Sequence, residues 1–157
     1  FLTAVALLIP VSLLSVALSW SGLPLNPFTG QLENLYGFLG LMGVVSFAIM
    51  GMLYKIIPFL VWFGVYSQHV GRARVPALAE MYSSRLQIIG YWSFLAGLVT
   101  ISVGILRESE SVVQFGSLLF TTSVFVLVLN IGKILAHVAR PQITSQQSTP
   151  AAIKLRA

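Results

Sequence analysis

An all-α integral membrane protein, with four transmembrane helices in an antiparallel bundle, is the expectation shared by three properties of these 157 residues. Hydrophobic residues make up 57% of the chain and charged residues only 8%, with a mean hydropathy of +0.90. That leaves too little polar surface to coat a water-soluble domain. The apolar runs are long and continuous, as helical spans of about 20 residues require, whereas a membrane β-barrel alternates over short strands. Short polar segments separate the runs, so neighbouring helices should be antiparallel. Cysteine is absent, which rules out disulfides and thiolate ligation of metals or iron–sulfur clusters by this chain.

The first expected span covers residues 2–20. Phe1 already lies in its apolar run without a preceding methionine or basic leader, and Pro24 and Pro27 follow where a cleavage signature would stand. The expectation is a retained helix at the start of a fragment, or of a chain that begins further upstream. The connection SGLPLNPFTGQLEN, with Glu33 its only charge, reads as a turn or a short interfacial excursion. The second span, 35–66, would extend roughly 48 Å at ~1.5 Å per residue, well beyond a ~30 Å hydrocarbon core. It must tilt, kink or leave the membrane. Pro58 removes the hydrogen bond to the Tyr54 carbonyl and so predicts a kink. The third and fourth spans are expected at 86–106 and 112–138. The segment 141–157, PQITSQQSTPAAIKLRA, lacks apolar periodicity and is dominated by serine, threonine, glutamine and proline, which predicts a disordered cytoplasmic tail.

Charge sets the orientation. Arg72, Arg74 and Arg85 follow the second span, and Lys133, Arg140, Lys154 and Arg156 cluster at and after the end of the fourth, so seven of nine basic residues fall on one side. Arg107 stands alone on the other side and Lys55 lies within a span. Basic residues mark the cytoplasmic face, so both ends of the chain are expected there. The net charge of +5, concentrated on that face, suits anionic lipid rather than nucleic acid, with Arg72, Lys133 and Arg140 as headgroup contacts.

Inside a bilayer, the positions of small and polar residues carry the packing information. Gly90, Ser93, Gly97, Thr100 and Gly104 recur at spacings of three and four along the third span, a stripe that lets another helix approach closely. Gly116, Ser123, Asn130 and His137 recur every seven residues along the fourth, with Lys133 and Arg140 near the same stripe. Lys133, His137 and Arg140 are expected to snorkel to headgroups, and Asn130 to make an interhelical hydrogen bond. Continued helix past Pro58 would put Lys55, Trp62, Tyr66 and His69 on one face. Lys55 then either snorkels to the surface, with the FLVWFGVY segment along the interface, or points inward as an intramembrane charge.

His69 and His137 are the only imidazoles, both at cytoplasmic helix ends. They are either unliganded interfacial residues or a bis-histidine pair for heme b, with Arg72, Lys133 or Arg140 near the propionates. No carboxylate pair, intramembrane acid or metal-ligand spacing appears, so no catalytic residues are assigned and no metal site is expected. A pigment or lipid held at a helix face is the other cofactor class considered.

The stretch GMLYKIIPFLVWFGVYSQHVGRARVP, carried by Tyr54, Lys55, Pro58, Phe59, Trp62 and Phe63, resembles bacterial polytopic membrane proteins distantly related to heme–copper oxidase subunit I and to the heme- and copper-containing proteins of nitric oxide response. The resemblance covers roughly residues 40–100. It implies a bacterial inner-membrane protein built on the helical scaffold of that superfamily. Those relatives carry a histidine directly after the Trp-Phe pair, where this chain has Gly64, so the resemblance implies a fragment or reduced member that keeps the scaffold without the redox centre.

The functional expectation is therefore a non-catalytic membrane subunit that packs against other membrane proteins in a respiratory or photosynthetic energy-converting complex. A heme-binding electron-transfer or oxidase-like protein is the first alternative. A small transporter or channel using Lys55 and Asn130 is the second.

Overall fold

A computed structural model describes residues 2–20, 26–70, 73–75, 77–139 and 144–145. Arg72, Arg140 and nearly all of the 141–157 segment lie outside the described residues, as does the side chain of His69.

The described residues are helical apart from the connections and one two-residue strand pair, with four main helices: α1 (Leu2–Leu18), α2 (Pro27–Tyr66), α3 (Ser84–Leu106) and α4 (Glu110–Ala139). The last three are long and apolar enough to cross a membrane; α1 is apolar but shorter. Two 3₁₀ turns, Ser67–His69 and Leu78–Glu80, join α2 to α3. Between them Ala73–Arg74 (β1) pairs antiparallel with Thr144–Ser145 (β2), in the register Ala73 with Ser145. This places two residues of the expected tail against the α2–α3 connection.

Helix α2 starts at Pro27 rather than at residue 35, and the local chemistry explains why. The Asn26 side-chain oxygen accepts from the Thr29 backbone N–H and the Thr29 hydroxyl, each at 2.9 Å, while Pro27 occupies the first helical position with φ preset. The Asn-Pro pair that reads as a turn is a helix cap. Helix α2 also contains an irregularity that its apolar run does not announce. Its α-helical pattern runs through the buried Pro58 to Tyr66, and the change of hydrogen bonding is a π-helical segment at Leu39–Val45. That segment packs on α1, and a Cβ at Gly43 would stand 3.3 Å from the Leu7 side chain.

Helix α3 ends in a Schellman arrangement. The Glu108 N–H donates to the Ile105 carbonyl and the Ser109 N–H to the Gly104 carbonyl, with Glu108 itself left-handed at φ 52°. A glycine would hold that conformation without its Cβ penalty; here the Glu108 carboxylate instead accepts from the Gln31 amide of α2.

The chain thus reverses tightly into α4, and the two helices run side by side in opposite directions. Ser83 pairs with Asn130, Gly90 with Ser123, and Gly97 with Gly116, partners falling along α4 as they rise along α3. A Cβ at Gly97 would lie 3.0 Å from the Phe120 backbone nitrogen, and one at Gly116 would lie 3.0 Å from that of Ile101. Backbone meets backbone here, which only glycine permits.

Large side chains fill the remaining interior. Ala4, Leu35, Leu39, Phe47, Phe94 and Leu98 form one cluster joining α1, α2 and α3. Phe94 is its hub, edge-on to Phe47 at 4.5 Å and tilted against Phe120 at 4.3 Å. Val61, Tyr66, Met81 and Ile134 form a second cluster at the end carrying the 3₁₀ turns.

Candidate functional site

Polar groups concentrate where the C-terminal ends of α2 and α4 meet the start of α3. Asn130 is fully buried, and its side chain grips the backbone of Ser83 on both sides: Oδ1 accepts from the Ser83 N–H at 2.9 Å and Nδ2 donates to the Ser83 carbonyl at 3.2 Å. Ser83 is the residue preceding α3 and its own side chain makes no capping bond. Asn130 therefore fixes the start of α3 from the neighbouring helix, giving the Ser83 N–H its acceptor and sharing the Ser83 carbonyl with the Gln87 N–H. One heptad nearer the middle of the hairpin, the buried Ser123 hydroxyl donates to the Gly90 carbonyl at 2.7 Å. One heptad the other way, His137 Nδ1 stands 3.0 Å from the hydroxyl of Tyr66, whose ring is fully buried and packs edge-on to the imidazole.

The heptad Gly116, Ser123, Asn130 and His137 thus lies on one line, from which Lys133 departs. Lys133 is exposed on the outside of α4 and Lys55 on the outside of α2. Lys55 does not share a surroundings with Tyr66, which is buried, or with Trp62, which is half-buried. Of the third-span stripe, Gly90, Gly97 and Gly104 are buried against α4, Thr100 is half-buried and touches the Gly116 position, and Ser93 is half-buried. The close partner of that stripe is the chain's own α4. The pairing of His69 with His137 falls outside the described residues, and His137 already shares its Nδ1 with Tyr66. Among the described residues no group of three His, Asp or Glu stands together to hold a metal ion.

Among the open spaces beside the described residues, two are lined by several polar side chains. A shallow groove of about 620 Å³ lies at the end opposite the histidines, between the start of α2 and the α3–α4 turn, near Gln31, Asn34, Glu108 and Glu110. A more enclosed cavity of about 280 Å³ lies between α2 and α3, bounded by Phe47, Met50, Tyr54, Gln87, Tyr91 and Trp92. Sequence reading did not single out Gln87 or Tyr91. The available signal was a lone carboxamide one turn into an apolar helix, but nothing in a linear pattern says that it faces Tyr54 across a helix pair.

The chain matches no protein-family model, no curated protein and no solved structure.

Proposed function

We propose that this chain is a non-catalytic, multi-pass subunit of the bacterial inner membrane, an antiparallel four-helix bundle with both ends of the chain on the cytoplasmic side. Its place would be beside other membrane proteins of an energy-converting complex. Apolar side chains exposed around every helix, such as Leu13, Phe59, Val99 and Phe125, support the membrane placement, because a surface of this kind is stable against hydrocarbon and not against water. The resemblance over residues 40–100 supports the energy-converting assignment.

The observation that carries the subunit reading is a set of glycines on outward faces. Gly37 and Gly64 of α2 and Gly132 of α4 are exposed, and a Cβ on any of them would meet nothing within 4 Å. They are not needed for packing within the chain, whereas Gly97, Gly104 and Gly116 are. Small residues on a lipid-facing surface let a further helix approach closely, where dispersion contacts drive association in a bilayer.

Purification from native membranes in mild detergent tests the reading. The expected result is co-isolation of other membrane proteins, with Gly64→Leu and Gly132→Leu chains losing them while still folding. A stable monomer without companions would overturn it. A Soret band in the purified chain would instead favour the heme-binding reading. Orientation is tested separately with single cysteines, which the chain otherwise lacks: Ser67→Cys should be labelled from the cytoplasm and Ser109→Cys from the opposite side.

A further inference from the structure

We propose that the cavity between α2 and α3 binds a neutral amphiphile of the quinone class, a planar ring carrying carbonyl or hydroxyl oxygens on an apolar chain. The inference rests on membrane placement but not on the subunit reading. Its first support is the contrast between satisfied and unsatisfied polar groups. Buried Ser123 and Asn130 are hydrogen-bonded, and the Tyr91 hydroxyl stands 3.0 Å from that of Thr3. The Gln87 carboxamide and the Tyr54 hydroxyl, both half-buried and both on the cavity wall, make no hydrogen bond among the described residues. A half-buried polar group without a partner is costly, so ligand oxygens against this wall would supply the hydrogen bonds that the chain does not.

The walls select the rest of the ligand. Phe47 and Tyr91 lie 5.7 Å apart and Tyr91 meets Trp92 edge-on at 5.5 Å, giving flat aromatic surfaces against which a ring can stack. Among the described residues no charged side chain lines the cavity, which favours a neutral head, and no histidine lines it, so it offers no imidazole to a heme iron. About 280 Å³ accommodates a ring head while leaving an attached chain outside, along the exposed lipid-facing residues. Gln87 lies in the first turn of α3, close to the end that carries Arg85, so the head would sit near the membrane surface.

The test uses the full chain in lipid nanodiscs with Trp20→Phe and Trp62→Phe, leaving Trp92 as the only indole. A decyl-substituted 1,4-benzoquinone, which quenches indole fluorescence, is the probe. Saturable quenching is expected, weakened about tenfold by Gln87→Leu and by Tyr54→Phe, each of which removes one hydrogen-bonding group. Tyr54→Phe keeps the ring and so keeps the test valid should Gln87→Leu disturb the fold. Ile89→Val, on the exposed face of α3, should leave binding unchanged. Quenching that rises only with partitioning into the lipid, or saturable quenching indifferent to both variants, overturns the proposal. So does displacement of the quinone by dioleoylglycerol at equal concentration, because the site would then recognise ester carbonyls rather than a planar ring. Alkaline carbonate extraction of native membranes tests membrane placement independently.

Discussion

The α3–α4 hairpin and the α1–α2 side of the bundle solve the same packing problem in different ways. In the hairpin, glycines bring backbones together and polar side chains lock the register: Gly97 against Phe120 and Gly116, Ser123 on Gly90, Asn130 on Ser83. On the other side, Ala4 is the only buried residue of α1, and the contacts run through large side chains such as Leu35, Leu39 and Phe47. Gly30, Gly37, Gly40 and Gly64 of α2 have nothing opposite their Cβ position, whereas Gly43 lies beside α1. The hairpin is specified by where side chains are missing, and the α1–α2 side by where they are large. Tolerance to substitution should therefore divide along the same line.

The sharpest way to break the comparison is to add a methyl group inside the hairpin. Gly97→Ala and Gly116→Ala each force a Cβ against backbone that has no rotamer to yield, and each should destabilise by about 2–3 kcal/mol. Unfolding in mixed micelles, followed by far-ultraviolet circular dichroism, reads this directly; a loss below about 0.5 kcal/mol would mean that the helices are not so close. Next in size is Asn130→Leu, which keeps the volume but strands the Ser83 N–H at the start of α3, while the Ser83 carbonyl keeps its bond from the Gln87 N–H. A loss of about 1–2 kcal/mol is expected, with faster amide exchange at the first turn of α3. Exchange unchanged at those amides would show that Asn130 is not their anchor.

Smaller effects sharpen the picture at its edges. Glu108→Gly relieves a left-handed residue while removing the bond to Gln31, and a net gain of about 0.5–1 kcal/mol is expected in the same unfolding assay. Pairing it with Gln31→Leu isolates the backbone part. Gly30→Ala and Gly64→Ala should change the stability of the isolated chain least, by about 0.5 kcal/mol and in the stabilising direction, because open space receives the new methyl group. A large loss at Gly64 in the isolated chain would place it in an intramolecular contact and remove it from the proposed partner surface.

Much of the helical layout was legible in one dimension. Long apolar runs gave α3 and α4 to within two residues at each end, because polar connectors bound them sharply. The start of α2 was not legible, since Asn26 and Pro27 suit a turn as well as a cap, and only the Asn26–Thr29 hydrogen bonds distinguish the two. The π segment was hidden for a related reason: LGLMGVV reads as ordinary apolar helix, and the neighbour of its Gly43 is Leu7, on another helix. At the candidate site, heptad spacing singled out Asn130 and His137, but their partners are the backbone of Ser83 and the ring of Tyr66, distant in sequence.

By itself, the sequence determined that the chain is helical and apolar, which helix faces carry small or polar residues, and that basic residues gather at one end. Those properties follow from composition and from the period of the helix, which are local. Tertiary structure decided which face meets which. It spent the glycine stripe and the Ser123–Asn130 line on an internal hairpin, left Lys55 and Lys133 outside, and brought Tyr54 and Gln87 to one cavity wall. Pairing of this kind depends on the register between helices, and a register is a property of two segments together that neither encodes alone.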